Sequence, residues 1–339
     1  MKRLSFVACS VLFGAFLVVA SLWFFQLKAE AGSMAQSALP PLFTDDFESG
    51  SGKWITQTNT CVSVVTDGGT QVYSVTNCGA TTARTIVTET TVPGSTAWTD
   101  YSIQARVKVV YTQSVGSSYA MLMARYRDSR NYYFMTLRPN NRVEIKKYIN
   151  GSSSSGGGGT VSSTAFTPTL GTWYTLKLEV IGTVSPTLRA FVDGVPVLTA
   201  TDTISPVVPL NAGTIGVGLV SAIAEFDDVI VSPIAATLNV TKLGLGEGLV
   251  TSVPAGIDCG VTCTADFVKG TVITLTATPI TGTSFGGWGG ACLGPGTVIP
   301  PGTGQLPMYQ CVLPMTAAMN VTVTFNKYYI FLPLVLKNY

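Results

Sequence analysis

The chain contains no histidine. That single absence excludes the Ser-His-Asp and Cys-His nucleophile systems and the usual His-ligated zinc sites. Any catalysis would rest on carboxylates, tyrosine, lysine or a bound cofactor. Charge is scarce too: Asp, Glu, Lys and Arg make up 11% of the 339 residues, and the formal net charge is +2. So small a net charge excludes a bulk electrostatic role such as wrapping nucleic acid. A disordered chain needs the opposite balance, high charge with little apolar content, whereas 46% of this one is hydrophobic. Helical periodicity is missing beyond the first segment. The length suffices for one large β domain or for two of ordinary size.

The N-terminus reads as an export signal. Lys2 and Arg3 precede an almost unbroken apolar run over residues 4–27, and small residues follow at Ala29, Ala31, Ser33 and Ala35. The run is also long enough to span a bilayer, so residues 1–31 serve either as a signal peptide or as an uncleaved anchor. Both readings deliver the rest of the chain outside the cytoplasm. Six of the seven cysteines lie beyond this segment: Cys61, Cys78, Cys259, Cys263, Cys292 and Cys311. An even count in an exported chain predicts disulfides rather than a four-cysteine zinc site. Their clustering favours local pairs, Cys61 with Cys78 and the other four among themselves.

Residues 32–44 read as a linker. From residue 45 to 233 the pattern is strand after strand, with residues 101–111 alternating apolar and polar at period two. Similar runs cover 120–126, 132–137, 142–149, 173–181, 188–192, 213–220 and 224–231. Asp193-Gly194 predicts a tight hairpin turn. The Gly/Ser-rich stretch 151–159 has neither the lysine nor the following helix of a phosphate-binding loop, and reads as a surface loop. Many short strands at close spacing predict a sandwich or barrel.

The run from Ala124 to Phe134, with Arg125, Asp128, Asn131, Tyr132 and Tyr133, resembles a hairpin of concanavalin A-like and laminin-G-like jelly rolls. Gly171-Thr-Trp173, Phe191-Val-Asp-Gly194, Gly213-Thr-Ile-Gly-Val-Gly218, Glu225-Phe-Asp-Asp228 and the opening Asp45-Asp-Phe-Glu48 fit the same pattern in order. The resemblance covers about 190 residues and implies a jelly-roll β-sandwich over 45–233, with Trp173 in its core. The family includes carbohydrate-binding modules, laminin-type modules and glycosidases, so the fold leaves function open.

Residues 234–327 are similar to the divergent internalin-type B-repeat of bacterial surface proteins. The resemblance rests on Ile257-Asp-Cys-Gly-Val-Thr-Cys263, Phe285-Gly-Gly-Trp-Gly-Gly-Ala-Cys292 and Met319-Asn-Val-Thr-Val-Thr-Phe325. It implies Cys259–Cys263 and Cys292–Cys311 pairs, a core position for Trp288 and a spacer role. The stretch 293–310 is longer and richer in Pro and Gly than the repeat usually has. Residues 328–339 form an apolar tail too short to span a membrane. The tail is either a sorting or assembly signal or a last docked strand.

Two groups of residues carry candidate chemistry. Asp45, Asp46 and Glu48 open the sandwich and Asp227 and Asp228 close it. If the first and last strands are neighbours, these carboxylates could hold a structural Ca²⁺; otherwise they are solvated strand-end charges. Residues 100–150 hold nine Lys and Arg against Asp100, Asp128 and Glu144, with tyrosines interleaved. A sheet face bearing Arg125, Arg127, Arg138, Arg142 and Lys146, with Tyr132 and an exposed Trp98 as stacking surfaces, would suit an acidic polysaccharide. The alternative is that Arg125, Asp128 and Asn131 organise the hairpin while the others solubilise the sheet. No nucleic-acid recognition motif is present. The carboxylate pair of a glycosidase is not recognisable either, since Glu144 and Glu179 stand alone on alternating strands.

The sequence therefore predicts an all-β, exported protein of the cell surface or medium: a jelly roll followed by a small disulfide-bonded β-repeat domain. It has no cofactor other than the candidate calcium. It binds an extracellular glycan without catalysis, with two rival readings: a surface-layer or filament subunit assembling through its tail, and a carboxylate-based glycoside hydrolase.

Overall fold

The computed structural model of the chain describes residues 39–114, 116–152, 158–203, 210–292, 297–299 and 308–328. The N-terminal apolar run, most of the expected linker, the centre of the Gly/Ser-rich loop and the tail beyond Tyr328 lie outside the described residues. Among the described residues no helix is long and apolar enough to cross a membrane.

Apart from one short 3-10 turn at Ser95–Ala97, the regular structure is all strand. The strands of the sandwich are β1 (Phe43–Asp45), β2 (Ile55–Thr56), β3 (Thr60–Asp67), β4 (Thr70–Asn77), β5 (Thr82–Ile86), β6 (Tyr101–Thr112), β7 (Tyr119–Asp128) and β8 (Asn131–Arg138). They continue as β9 (Arg142–Tyr148), β10 (Gly159–Ala165), β11 (Trp173–Ile181), β12 (Thr187–Val192), β13 (Val195–Thr201), β14 (Thr214–Val220) and β15 (Ala222–Pro233). The repeat adds β16 (Ala235–Leu243), β17 (Gly248–Val253), β18 (Thr264–Val268), β19 (Val272–Pro279), β20 (Thr283–Gly290), β21 (Thr297–Ile299), β22 (Met308–Pro314) and β23 (Met319–Lys327).

The first sheet runs β13-β12-β11-β6-β15-β4-β3 with β1 also on β15, and the second runs β10-β9-β8-β7-β14-β5-β2. All their pairings are antiparallel, and their inner faces share one hydrophobic core. The two-residue period explains the partition. On β6, Tyr101, Ile103, Ala105 and Val107 are fully buried in that core, while Gln104, Arg106 and Lys108 face outward. The Asp193-Gly194 turn joins β12 to β13 with both residues at positive φ, 50° and 78°, as the tightest hairpin requires.

Two further sheets, β18-β16-β23-β20 and β17-β19-β22-β21, enclose a separate core around Leu238, Leu275, Trp288 and Phe325. Here β16 and β23 pair in parallel. Disulfides join Cys61 to Cys78, Cys259 to Cys263 and Cys292 to Cys311. The two wider bridges close loops of 17 and 19 residues, each worth about 3 kcal/mol through the unfolded state.

One charged group breaks the alternation. Lys147 follows Val143 and Ile145 on the inward row of β9 and is fully buried. Its Nζ lies 2.7 and 3.0 Å from the Asp202 carboxylate oxygens, and the Tyr133 hydroxyl donates to the same carboxylate at 2.7 Å. Asp202 directly follows β13 of the first sheet, whereas Lys147 and Tyr133 belong to the second. This polar cluster therefore pins the two layers. Removing the ammonium alone strands a buried carboxylate: Lys147→Met should cost about 3–5 kcal/mol in chemical denaturation, and adding Asp202→Asn should recover most of it.

Candidate functional site

The outer face of the second sheet carries a second apolar cluster, separate from the core. Register pairs place Thr160, Lys146, Phe134, Met123, Gly216 and Ile86 side by side across five strand boundaries. The neighbouring row runs Ser163, Glu144, Thr136, Met121, Gly218 and Arg84. Glycine on β14 is dictated by this packing. A Cβ on Gly216 would lie 2.7 Å from the Thr85 carbonyl oxygen and from Met123 Cε, and one on Gly218 2.5 Å from the Ala83 carbonyl oxygen and 2.9 Å from Met121 Cε. Both methionines thus fold over the bare strand.

Aromatic rings form a stripe along this face. Tyr132 stacks on Tyr126 at 5.4 Å and on Tyr148 at 5.2 Å, and Phe134 lies 5.5 Å from Tyr132 and 6.3 Å from Tyr119. Tyr119 and Tyr148 are half-buried, while the rings between them are covered. Burial raises the Tyr119 and Tyr126 phenols to about 12. Cations rim the stripe. The Arg84 Nη1 donates to the Tyr132 hydroxyl at 3.0 Å. Arg138 lies 4.7 Å over the Tyr119 ring and donates to Glu144 at 2.8 Å. Lys146 donates to the Thr160 hydroxyl at 3.0 Å, and Arg142 stands 3.8 Å from Glu144.

Of the residues expected on one binding face, the structure brings together Arg138, Arg142, Lys146 and Tyr132. Tyr132 is only 2% exposed, so it supports the stripe from beneath instead of offering an open ring. Arg127 is exposed near the end of β7. Arg125 has to be removed from the set, because it is fully buried on the inner side of the sheet. A bulge between Ala124 and Asp128, with Arg125 at φ +48°, turns its side chain inward. There its guanidinium donates to the carbonyls of Thr99, Leu210 and Gly182 at 2.7–3.0 Å and touches the Asp100 carboxylate at 3.4 Å. Asp128 accepts from Arg130 N and the Asn131 amide, so the hairpin-organising alternative holds for Arg125, Asp128 and Asn131.

Trp98 is likewise no open platform. It packs edge-on to Tyr101 at 5.8 Å, half-buried against the core. Sequence reasoning counts Tyr119 and Tyr148 among the interleaved tyrosines without singling them out, and it misses Arg84. Tyr119 and Tyr148 carried a readable signal, the same alternation that places Phe134 and Lys146. Arg84 lies on β5, a strand too Thr-rich to stand out.

The carboxylates expected to hold calcium do not converge. The expected neighbourhood exists, since β1 pairs with β15 and Asp45 faces Val229. The oxygens are engaged otherwise. Asp45 accepts from the Trp54 indole at 2.8 Å and Lys53 at 3.3 Å, and Glu48 accepts from Gln71 N at 2.8 Å. Asp46 caps Glu48 N at 3.2 Å, Asp227 pairs with Arg106 at 3.0 Å, and Asp228 lies 3.5 Å from Arg106. Burial, followed by the nearby acids, raises the Asp227 carboxyl despite its Asp228 N–H and Arg106 partners. Among the described residues no three Asp, Glu or Cys side chains are grouped to hold a metal ion.

The first sheet's outer face is built differently. Trp173, expected in the core, lies out here beneath Arg106 and Lys108, 4.6 and 4.9 Å from its ring. Its position on β11 opposite Lys108 fixes that side, since Leu176 and Leu178 take the inner one. Every cation here meets a carboxylate: Arg106 meets Asp227, Lys108 meets Asp67 and Glu225, and Lys177 and Arg189 meet Glu179, all within 3.0 Å.

Residues 249–328 match the divergent InlB B-repeat domain family. No curated protein matches the chain. Solved structures similar to it include a carbohydrate-binding module from Bacillus subtilis, at 18% identity and TM-score 0.41, covering 53% of this chain and 95% of that one. Another is a B. subtilis protein of unknown function with a galectin-like fold, at 12% identity and TM-score 0.42, covering 58% and 96%. A third is an endo-1,3-beta-glucanase from Streptomyces sioyaensis, at 15% identity and TM-score 0.37, covering 58% and 99%.

The first-sheet ladder titrates in a defined direction. Hydrogen bonds from Lys108 and from the Trp173 indole hold the Asp67 carboxyl below its ordinary range. A depressed carboxyl contributes stability above its unfolded value and loses it as pH falls through the folded one. In an NMR titration the Asp67 carboxyl carbon and the Trp173 indole N–H should therefore shift together, at a pH below that of an unfolded aspartate. Asp67→Asn should abolish the indole transition.

Proposed function

We propose that the outer face of the second sheet binds an extracellular glycan without breaking it. The observation that carries this reading is the aromatic stripe from Tyr119 to Tyr148, rimmed by Arg84, Arg138, Arg142 and Lys146. Aromatic faces stack on the apolar faces of sugar rings, and fork-shaped guanidinium groups hydrogen-bond the rim of oxygens.

Binding without hydrolysis is supported by the count of carboxylates. A glycosidase needs two flanking one bond. This face offers Glu144, already held by Arg138 at 2.8 Å, while Glu179 lies on the other sheet. In this reading residues 1–31 export the chain, residues 45–233 form the binding module, and residues 234–327 act as a disulfide-stiffened spacer at the cell surface or in the medium. The three disulfides and the surface-repeat family of residues 249–328 support that placement.

The test is a glycan array with the chain from Gly32 onward, followed by calorimetry on the best binder. Tyr119→Ala and Tyr148→Ala should each weaken binding about tenfold, the equivalent of about 1.4 kcal/mol, with an unchanged melting temperature. An array without binders, or a binder indifferent to both substitutions, defeats the proposal.

A further inference from the structure

The two outer faces of the sandwich treat their cations in opposite ways. On the first sheet each of Arg106, Lys108, Lys177 and Arg189 has a carboxylate within 3.0 Å. On the second sheet four cations share one acid, Glu144, and Arg138 holds it at 2.8 Å. Arg142 reaches Glu144 only at 3.8 Å, with 54% of its side chain exposed. Lys146 and Arg84 bond the neutral hydroxyls of Thr160 and Tyr132. Among the described residues neither has a carboxylate within ion-pair distance.

We infer that the ligand of this face is an anionic polysaccharide, whose uronate carboxylates or sulfate esters are held by Arg84, Arg142 and Lys146. The inference rests on the glycan reading above and names the class of ligand. Its physical basis is the uncompensated charge. A face made only for solubility gains by pairing its cations, as the first sheet does, whereas a face made for an anion must leave them unpaired until the ligand arrives. Arg142 and Lys146 lie on one strand, separated by Glu144. An extended chain running along β9 would pass both positions, whose backbone sites lie about 13 Å apart. The half-buried rings of Tyr119 and Tyr148, at the two ends of the stripe, supply the stacking that a simple polyanion would not use.

The test measures binding of the full chain to polygalacturonate and its carboxyl-reduced counterpart, to dextran sulfate and dextran, and to polyglutamate. At least one anionic polysaccharide should bind about tenfold or more tightly than its neutral partner, with the preference shrinking at high salt. Which of the two does so distinguishes carboxylate from sulfate. Arg142→Gln and Lys146→Gln should each reduce that preference several-fold, whereas Lys177→Gln on the other sheet should leave it unchanged. Equal binding of each anionic polymer and its neutral partner overturns the anionic inference and leaves the glycan reading standing. No binding to either anionic polysaccharide overturns the anionic inference, and an array without binders overturns the glycan reading as well. Polyglutamate bound as tightly as the best polysaccharide overturns the inference as well, since charge alone would then suffice.

Discussion

The bulge at Arg125 is the constraint on which the aromatic outer face of the second sheet depends. Below it, β7 alternates strictly, with Ala120, Leu122 and Ala124 inward and Met121 and Met123 outward. Against β14 one extra residue then reverses the order, sending Arg125 inward and Tyr126 outward to stack on Tyr132. The reversal holds because the buried guanidinium finds acceptors on every side. Three backbone carbonyls and Asp100 receive its hydrogens, and the Arg125 N–H donates to the Tyr101 hydroxyl at 2.6 Å. A charge buried without those partners would cost several kcal/mol. Gly213 completes the arrangement, since a Cβ there would lie 2.7 Å from the Arg125 backbone.

With that reversal in place, the sandwich has two outer faces of unlike character. The first is electrostatically closed: its cations and carboxylates interlock around Trp173, and the ring fills the space beneath them. The second is open in the same sense, with aromatic surface where the first has carboxylates. Both are sheets of the same fold built by the same alternation. The difference lies in which side chains occupy the outward positions of β5, β7, β8 and β9, so it is a property of these residues and not of the jelly roll.

Much of this is legible in the sequence, and the losses have specific causes. Most sandwich strands from β6 onward can be read from runs like Tyr101, Ile103, Ala105 and Val107 at period two, though the Ser/Thr-rich β10 and the half-exposed β13 cannot. The strands β3, β4 and β5 cannot, because Thr and Ser on both faces hide the period. Alternation alone puts Arg125 and Arg127 on one side, and a bulge leaves no mark in composition. The jelly-roll resemblance places Trp173 in the core, whereas cations above its ring make an outer position equally favourable. The carboxylates at the two ends of the sandwich do lie on the neighbouring strands β1 and β15, but neighbouring strands do not aim oxygens at one point. Lys147 is readable in principle: it continues the inward row of Val143 and Ile145, and only a buried partner explains a lysine there.

The buried hub also reaches beyond the sandwich. Asp100 touches Arg125, accepts from Gly182 N at 2.8 Å, and lies 3.7 Å from Lys269 of the repeat. Its backbone carbonyl accepts from Ile234 N at 3.1 Å, and the Ile234 carbonyl in turn accepts from Lys269 N at 2.8 Å. The chain passes from β15 to β16 with only Ile234 between them, so this connection has little freedom of its own. The group that fixes the bulge, and with it the aromatic stripe, is thus bonded to the residue from which the repeat departs. A domain attached in this way fixes the direction in which the aromatic face points relative to it, which a flexible linker of the same length could not do.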